Sequence, residues 1–284
     1  MSARLPWPRI EPAPRVPHAG PVTSQSLQVE AHGALAGFVR GFRAVPRDAG
    51  GGPAYVRLPD GEAELIVRLS DTRGDAYVIG TRLHVLQKGG TEVPPLAVAV
   101  RFKAGGAYPF FGVPMAHLTD RVVNLDTLWG EDGARLRERM HESTTLAAKV
   151  QVLETALTER LRRGDVFEPA SAHVVRRAVR AISQSQELPR IEALARGLGV
   201  SERQLRRAFD DVVGMSPKVY ARIVRFQRAM RASTRAATPD WGAIAAATGY
   251  YDQAHLISDF RSLTGVTPVA LLRAGPLAVM PGLR

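Results

Sequence analysis

The sequence has no cysteine, which excludes disulfides, thiolate metal sites, cysteine nucleophiles and thiol redox switching. It has no run of about 18 uncharged apolar residues, so no membrane span and no membrane partner is expected. Residues 1–21 carry proline at 6, 8, 12, 14, 17 and 21 and no apolar core segment; they read as a Pro-rich arm, not a secretory leader. His18, His32, His84, His117, His141, His173 and His255 never fall at His-x-His or His-x-x-x-His spacing, so no metal or other cofactor is expected. Gly50-Gly-Gly52 lacks the following Gly-Lys-Ser/Thr of a phosphate loop. Asp60, Glu62 and Glu64 alternate near a turn, and a solvated strand face explains them better than acid–base chemistry. With no convergent polar set, the expectation is a cytoplasmic protein that is not an enzyme and has no catalytic residues.

What the chain does have is positive charge and apolar content. Its 284 residues are 45% hydrophobic, enough for more than one core, and carry a formal charge of +11. Residues 165–284 hold 17 of the 38 Lys+Arg and 10 of the 27 Asp+Glu, so the denser positive field lies toward the C-terminus. Nucleic acid is the commonest polyanionic partner of such a chain.

Short apolar runs between Gly and Pro turns predict strands over about 22–125: Ala54–Leu58, Glu64–Leu69, Tyr77–Ile79, Leu83–Leu86 and Leu96–Phe102, the last with Val98, Val100 and Phe102 on one face. Tyr108, Phe110 and Phe111 could line a ligand pocket, but packing in the β core is the favoured reading. Helical spacing takes over from Leu128 through Leu161, and again from Pro169 to Ile182, giving a helical connector over 131–187 with Trp129 as its packing anchor.

An internal repeat follows. Leu205, Phe209, Gly214 and Pro217 recur 51 residues later as Leu256, Phe260, Gly265 and Pro268, and Ala195 and Gly199 recur 50 residues later as Ala245 and Gly249. Each copy has helix-turn-helix grammar: an apolar first helix, a Gly turn, a capping residue (Ser201 or Asp252) and a second helix with a polar outer face. Ser201 and Gln204 have capping-box spacing. Arg203, Gln204, Arg206 and Arg207 are the outward set of the first copy; Gln253, His255, Ser258 and Arg261 are that of the second. Arginine suits guanine and glutamine suits adenine, while cap residues and helix N-termini suit phosphates. Between the copies, Val219, Ile223, Phe226 and Met230 predict a helix of about 27 Å, with arginines on its other faces. That length can hold two recognition helices about one DNA turn, roughly 34 Å, apart.

Residues 188–274 resemble the DNA-binding domain of the AraC/XylS regulators. The resemblance rests on Gly249-Tyr-Tyr-Asp-Gln-Ala-His-Leu-Ile-Ser-Asp-Phe-Arg261 and Gly265-Val-Thr-Pro268. It implies a seven-helix, all-α domain of two helix-turn-helix units that activates or represses promoters, with Arg203, Arg206 and Arg207 reading bases in the first unit and Gln253, Ala254, His255 and Ser258 in the second. Ser258 stands where many members carry Arg, and Leu271-Leu272 replaces the usual aromatic, so the first unit is expected to dominate. Leu58-Pro-Asp-Gly61, Leu65-Ile-Val67, Val100-Arg-Phe102 and Leu118-Thr-Asp-Arg121 are similar to the sensor half of some members, implying a cupin-like barrel or sandwich. The expected plan is therefore a multi-domain α+β chain: arm 1–21, β-rich sensor or dimerisation domain 22–130, connector 131–187, double helix-turn-helix domain 188–274 and tail 275–284. Its expected partners are double-stranded promoter or operator DNA, RNA polymerase if it activates, a small-molecule effector at the N-terminal domain and a second copy in a homodimer. Two rivals are a β-domain enzyme anchored to DNA by its tail and a non-specific architectural binder; the first needs a polar set or an acceptor Cys that the chain lacks.

Overall fold

The computed structural model describes residues 26–46, 55–70, 74–88, 96–164, 168–185, 187–235 and 238–273. The Pro-rich arm, the Gly50–Gly52 run and the tail lie outside the described residues. Strands come first: β1 (Leu27–Glu30), β2 (Val39–Pro46), β3 (Tyr55–Arg57), β4 (Glu64–Leu69), β5 (Gly74–Ile79), β6 (Leu86–Lys88), β7 (Leu96–Phe102) and β8 (Val122–Asn124). Six of them form an antiparallel sheet in the order β1-β2-β7-β4-β5-β8, and β3 pairs with β6. The expected class, an antiparallel β part followed by helices, is what forms. Among the described residues β1 and β8 are the sheet edges, and no pairing between them closes a ring.

Period-two alternation sets the two faces. Val98, Val100 and Phe102 of β7 are fully buried on one side, with Leu65 opposite Val100 and Val67 opposite Val98 in the β4–β7 register. Ile66, Ile79 and Ala99 point the other way and pack with Leu86 of the β3–β6 ribbon. Leu83–Val85, expected as strand, is loop instead. The Leu83 and His84 amides donate to Asp120 Oδ1 at 2.9 and 3.3 Å, so a side chain takes the place of a ladder partner. Phe110 and Phe111 are buried as expected, but on a short helix, α1 (Tyr108–Phe111).

Helices α2 (Leu125–Trp129), α3 (Glu131–Glu142) and α4 (Leu146–Arg163) follow. Leu136, Met140, Val150, Leu153 and Leu157 pack into the same core as Leu65 and Val67. Trp129 is an anchor: its Nε1 donates to the Phe110 carbonyl at 2.8 Å and the Arg160 guanidinium lies 4.8 Å over its ring. Helix α5 (Ala172–Gln184), grouped by sequence with the connector, puts Ala172, Val175, Ala178 and Ile182 into a second core. It shares that core with α6 (Ile191–Gly197), α7 (Glu202–Val212), α8 (Pro217–Ser233), α9 (Trp241–Ala247), α10 (Gln253–Thr264) and α11 (Pro268–Arg273). Core membership thus changes between α4 and α5, inside the expected connector.

The acidic residues near the turn are not solvated. Asp60 and Glu64 are buried with Arg57. Arg57 grips Asp60 through two bonds of 3.0 and 2.9 Å, Arg101 reaches the same carboxylate at 2.7 Å, and Arg40 and Arg101 both pair with Glu62. Burial pushes the Glu62 carboxyl up, but Arg101 and Arg40 outweigh it and hold it below the usual carboxylate range. This cage fixes the Pro59–Gly61 loop, which meets α8: Gln227 Nε2 donates to the Pro59 carbonyl at 3.1 Å. A second contact clasps the turn after α7, where Thr119 Oγ1 donates to the Gly214 carbonyl at 2.7 Å. Asp60→Ala leaves Arg57 and Arg101 without their shared anion, and is expected to cost about 3–5 kcal/mol in urea unfolding. A loss under about 1 kcal/mol would mean that solvent, not Asp60, compensates those arginines.

Candidate nucleic-acid interface

The two repeat copies fold as two helix pairs, α6–α7 and α9–α10. Four residues separate the first pair and five the second, so the one-residue difference in the repeat lies in the turn. Gly199 and Gly249 turn the chain with φ of 74° and 81°, a region that a side chain makes costly. Ser201 Oγ accepts from the Gln204 amide while Gln204 Oε1 accepts from the Ser201 amide at 2.9 Å, closing the expected capping box. Asp252 caps α10 through the His255 amide at 2.7 Å.

Helix α7 buries Leu205, Ala208, Phe209 and Val212 and exposes Arg203, Arg206 and Arg207. None of these three arginines has a hydrogen bond or ion pair among the described residues. Applying the 51-residue shift, their counterparts on α10 are Ala254, Ile257 and Ser258. Ala254 and Ser258 are exposed and Ile257 is half-buried. Gln253 and Arg261 are exposed beside them. The first recognition helix therefore offers three free cations where the second offers one small apolar, one branched and one hydroxyl side chain.

Gln204 and His255 occupy equivalent positions, and both turn back on the chain. The Gln204 carbonyl oxygen is used by Ser201, as above. His255 is half-buried, its Nδ1 accepts from the Tyr251 amide at 3.4 Å, and its ring stands edge-on to Tyr250 at 5.2 Å. These two expected base readers are engaged in starting their own helices. Tyr251, which the sequence does not distinguish from its neighbour, is 92% exposed immediately before the α10 cap. The adjacent tyrosines look alike in sequence, and only packing separates buried Tyr250 from exposed Tyr251.

The rod between the copies is α8, whose 17 residues span about 26 Å. Its arginines lie on the other faces as expected, and most are fasteners. Arg222 Nε and Arg225 Nη2 hold Asp259 of α10 at 2.7 and 3.0 Å. The Arg225 guanidinium lies 4.4 Å over the Tyr250 ring, whose phenol is pushed up by burial and then by the Asp259 carboxylate. Arg228 Nη2 donates to the carbonyls of Ile182 and Ser183 at 3.0 and 3.2 Å, at the C-terminal end of α5. Among the described residues no group of three or more His, Cys, Asp or Glu could hold a metal ion.

This is a double helix-turn-helix DNA-binding domain behind an antiparallel sheet. A family model described as a helix-turn-helix domain matches residues 194–274, and one described as a domain of unknown function (DUF6597) matches residues 27–124. A solved structure described as a probable AraC family transcriptional regulator from Rhodopseudomonas palustris is 33% identical; the match covers 37% of this chain and 99% of that one, with a TM-score of 0.32. The chain belongs to the AraC family of transcriptional regulators. ToxT from Vibrio cholerae is 10% identical over 83% of this chain and 99% of its own, with a TM-score of 0.41; a ToxT structure with bound unsaturated fatty acid is 9% identical over 92% and 99%, with a TM-score of 0.42. At those scores neither ToxT likeness bears on the ligand or domain arrangement of this chain. No curated protein matches it.

Asp259→Ala releases Arg222 and Arg225 together. It is expected to cost about 3–5 kcal/mol of stability and to loosen α10, raising amide exchange there while α6 and α7 keep their protection. Uniform loss of protection over both units would show that Asp259 supports the whole domain, not the second pair.

Proposed function

We propose that this regulator binds a specific operator by placing α7 and α10 in two successive major grooves on one face of DNA, with α7 as the dominant reader. The three free arginines on α7 carry the reading, because a guanidinium can bond guanine O6 and N7 together. Ser201, Asp252 and Gln253 sit at helix N-termini, where backbone amides favour phosphates, and Arg261 lies about two turns further along α10. Gln204 and His255 act through the caps they complete. The length of α8 supports a spacing near one turn of DNA. RNA polymerase, a second copy of the chain and a small-molecule effector at the β part complete the proposed partners, with the cytoplasm as the setting. No helix among the described residues is long and apolar enough to cross a membrane.

Arg206→Ala or Arg207→Ala is expected to cost about 1–3 kcal/mol at the operator and to relax preference at one base pair. An equal loss on random duplex would reassign the residue to phosphate. Protection of a single short patch by the full chain, or no preference over random duplex at physiological salt, would overturn the two-groove reading. Tyr251 is proposed to bond the DNA backbone through its hydroxyl. Tyr251→Phe should then weaken all sequences alike by about 0.5–1.5 kcal/mol and leave the salt slope unchanged, since a neutral contact displaces no counterion. A change in sequence preference would make it a base contact instead.

A further inference from the structure

The repeat supplies its own comparison for the end of each recognition helix. Gly214 and Gly265 are equivalent by the 51-residue shift, and both stop the second helix of a pair, with φ of 86° and 78°. Their surroundings differ. A Cβ on Gly265 would have nothing within 4 Å, whereas one on Gly214 would run into Thr119 Oγ1 and come within 2.8 Å of the Met115 carbonyl oxygen. The β part thus approaches the end of α7 more closely than a side chain there would allow, while the same space beside α10 is open.

The segment that makes this approach is firmly held. The Gly80 amide donates to the Arg121 carbonyl at 3.0 Å and the Asp120 amide to the Thr81 carbonyl at 2.9 Å, so the turn through Asp120 is fastened to the end of β5. Met115 is buried in the β core. Thr119 Oγ1 lies 2.7 Å from the Gly214 carbonyl, 3.1 Å from the Met115 carbonyl and 3.1 Å from Thr81 Oγ1. A hydroxyl has one proton; the shortest contact takes it, which leaves Thr81 to donate to Thr119. Gly214 passes the hold into the helix, because its amide and that of Val213 close α7 on the Phe209 carbonyl at 3.0 and 2.8 Å. Two neighbouring points are met as well: a Cβ on Gly105 would lie 3.6 Å from Val212 Cγ1, and one on Gly61 would enter the Tyr220 ring at the start of α8.

Arg207, Arg206 and Arg203 lie 7 to 11 residues before Gly214, about 10–17 Å along the helix. A tilt of about 5° at the held end would move Arg203 by about 1–2 Å, too far for a paired bond to guanine near 2.9 Å. We propose that Thr119 is a positioning residue for recognition: acting through Gly214, it sets the attitude of α7 from the β part, while α10 takes its attitude from α8 through Asp259. This rests on α7 being a base reader. It makes the two recognition helices answer to different supports.

The test uses the full chain as wild type, as Thr119→Val, which keeps the branched shape and loses the hydroxyl, and as Thr119→Ser, which keeps the hydroxyl. Amide exchange without DNA reads the clasp itself. The Val213 and Gly214 amides should exchange about threefold to tenfold faster in Thr119→Val and as wild type in Thr119→Ser, with the Gly265 amide unchanged in both. Selection from a randomised duplex library reads the consequence. Thr119→Val should lose preference in the block that Arg206→Ala relaxes and keep it in the other, a split that general loss of stability does not give; Thr119→Ser should restore it. Gly214→Ala and Gly265→Ala both carry the strain of positive φ, so the crowded Gly214→Ala should melt about 2–4 °C below Gly265→Ala. Unchanged exchange at Val213 and Gly214, equal weakening of both blocks, or equal midpoints for the two glycine variants each overturns the role of Thr119. A wild type that selects no second block sinks the two-groove reading and this role together, and is told apart because it appears without any substitution.

Discussion

Helix α8 is packed on three sides, and each side answers to a different part of the molecule. Its Tyr220–Gln227 stripe meets the loop held by the Arg57–Asp60–Arg101 cage. Arg228 bonds carbonyls at the end of α5. Phe226 stacks edge-on with Phe260 of α10 at 4.7 Å, and Arg222 and Arg225 hold Asp259 beside it. A rigid rod with three fixed neighbours leaves the recognition helices little freedom to change their separation, because packed cores shift between discrete arrangements and do not deform continuously. The spacing of the reading elements is therefore a property of α8 and what grips it.

Net charge is a poor guide to which arginines face DNA. The C-terminal 120 residues are rich in arginine, yet Arg176, Arg222, Arg225 and Arg228 are spent on carboxylates and carbonyls within the chain. Arg203, Arg206 and Arg207 on α7 make no hydrogen bond or ion pair among the described residues. Counting charge overstates the field and misplaces it; burial and pairing show where it acts. The same logic separates the two units. The repeat preserves the apolar residues that build each helix pair, while the outward positions change from three arginines to Ala254, Ile257 and Ser258, so a duplicated scaffold presents unequal outward faces.

Local chemistry was legible in the sequence. Gly199 and Gly249, the Ser201 and Asp252 caps and the Val98–Phe102 face depend on residues a few positions apart, and each forms as read. Failures came where a partner is distant in sequence. The amphipathic pattern of α5 announces an apolar face but not which core it joins. Glu62 and Glu64 read as solvated because their partners, Arg40, Arg43 and Arg101, lie on other strands. Leu83–Val85 looked like strand because its competitor, the Asp120 carboxylate, is 36 residues or more away. Gln204 forms the capping box that its spacing from Ser201 predicts, whereas nothing local to His255 announces that its ring turns back on Tyr250 and Tyr251.

The Arg222–Asp259–Arg225 knot illustrates why a costly arrangement sits at this point. Arg225 Nε is buried without an acceptor among the described residues, and two guanidiniums share one carboxylate. Such a site is less stabilising than apolar residues of the same volume would be, since the desolvation of three charged groups offsets most of their attraction. Apolar packing, however, tolerates rotation of one helix against another by small shifts in rotamer. Hydrogen bonds of 2.7 and 3.0 Å from two successive turns of α8 to the two oxygens of Asp259 do not. They fix α10 both along and around its axis relative to the rod. On the proposed two-groove reading, that precision matters more for a helix whose outward residues are Ala254 and Ser258, with short reach and few donors, than for the long arginines of α7, which can adjust by changing rotamer.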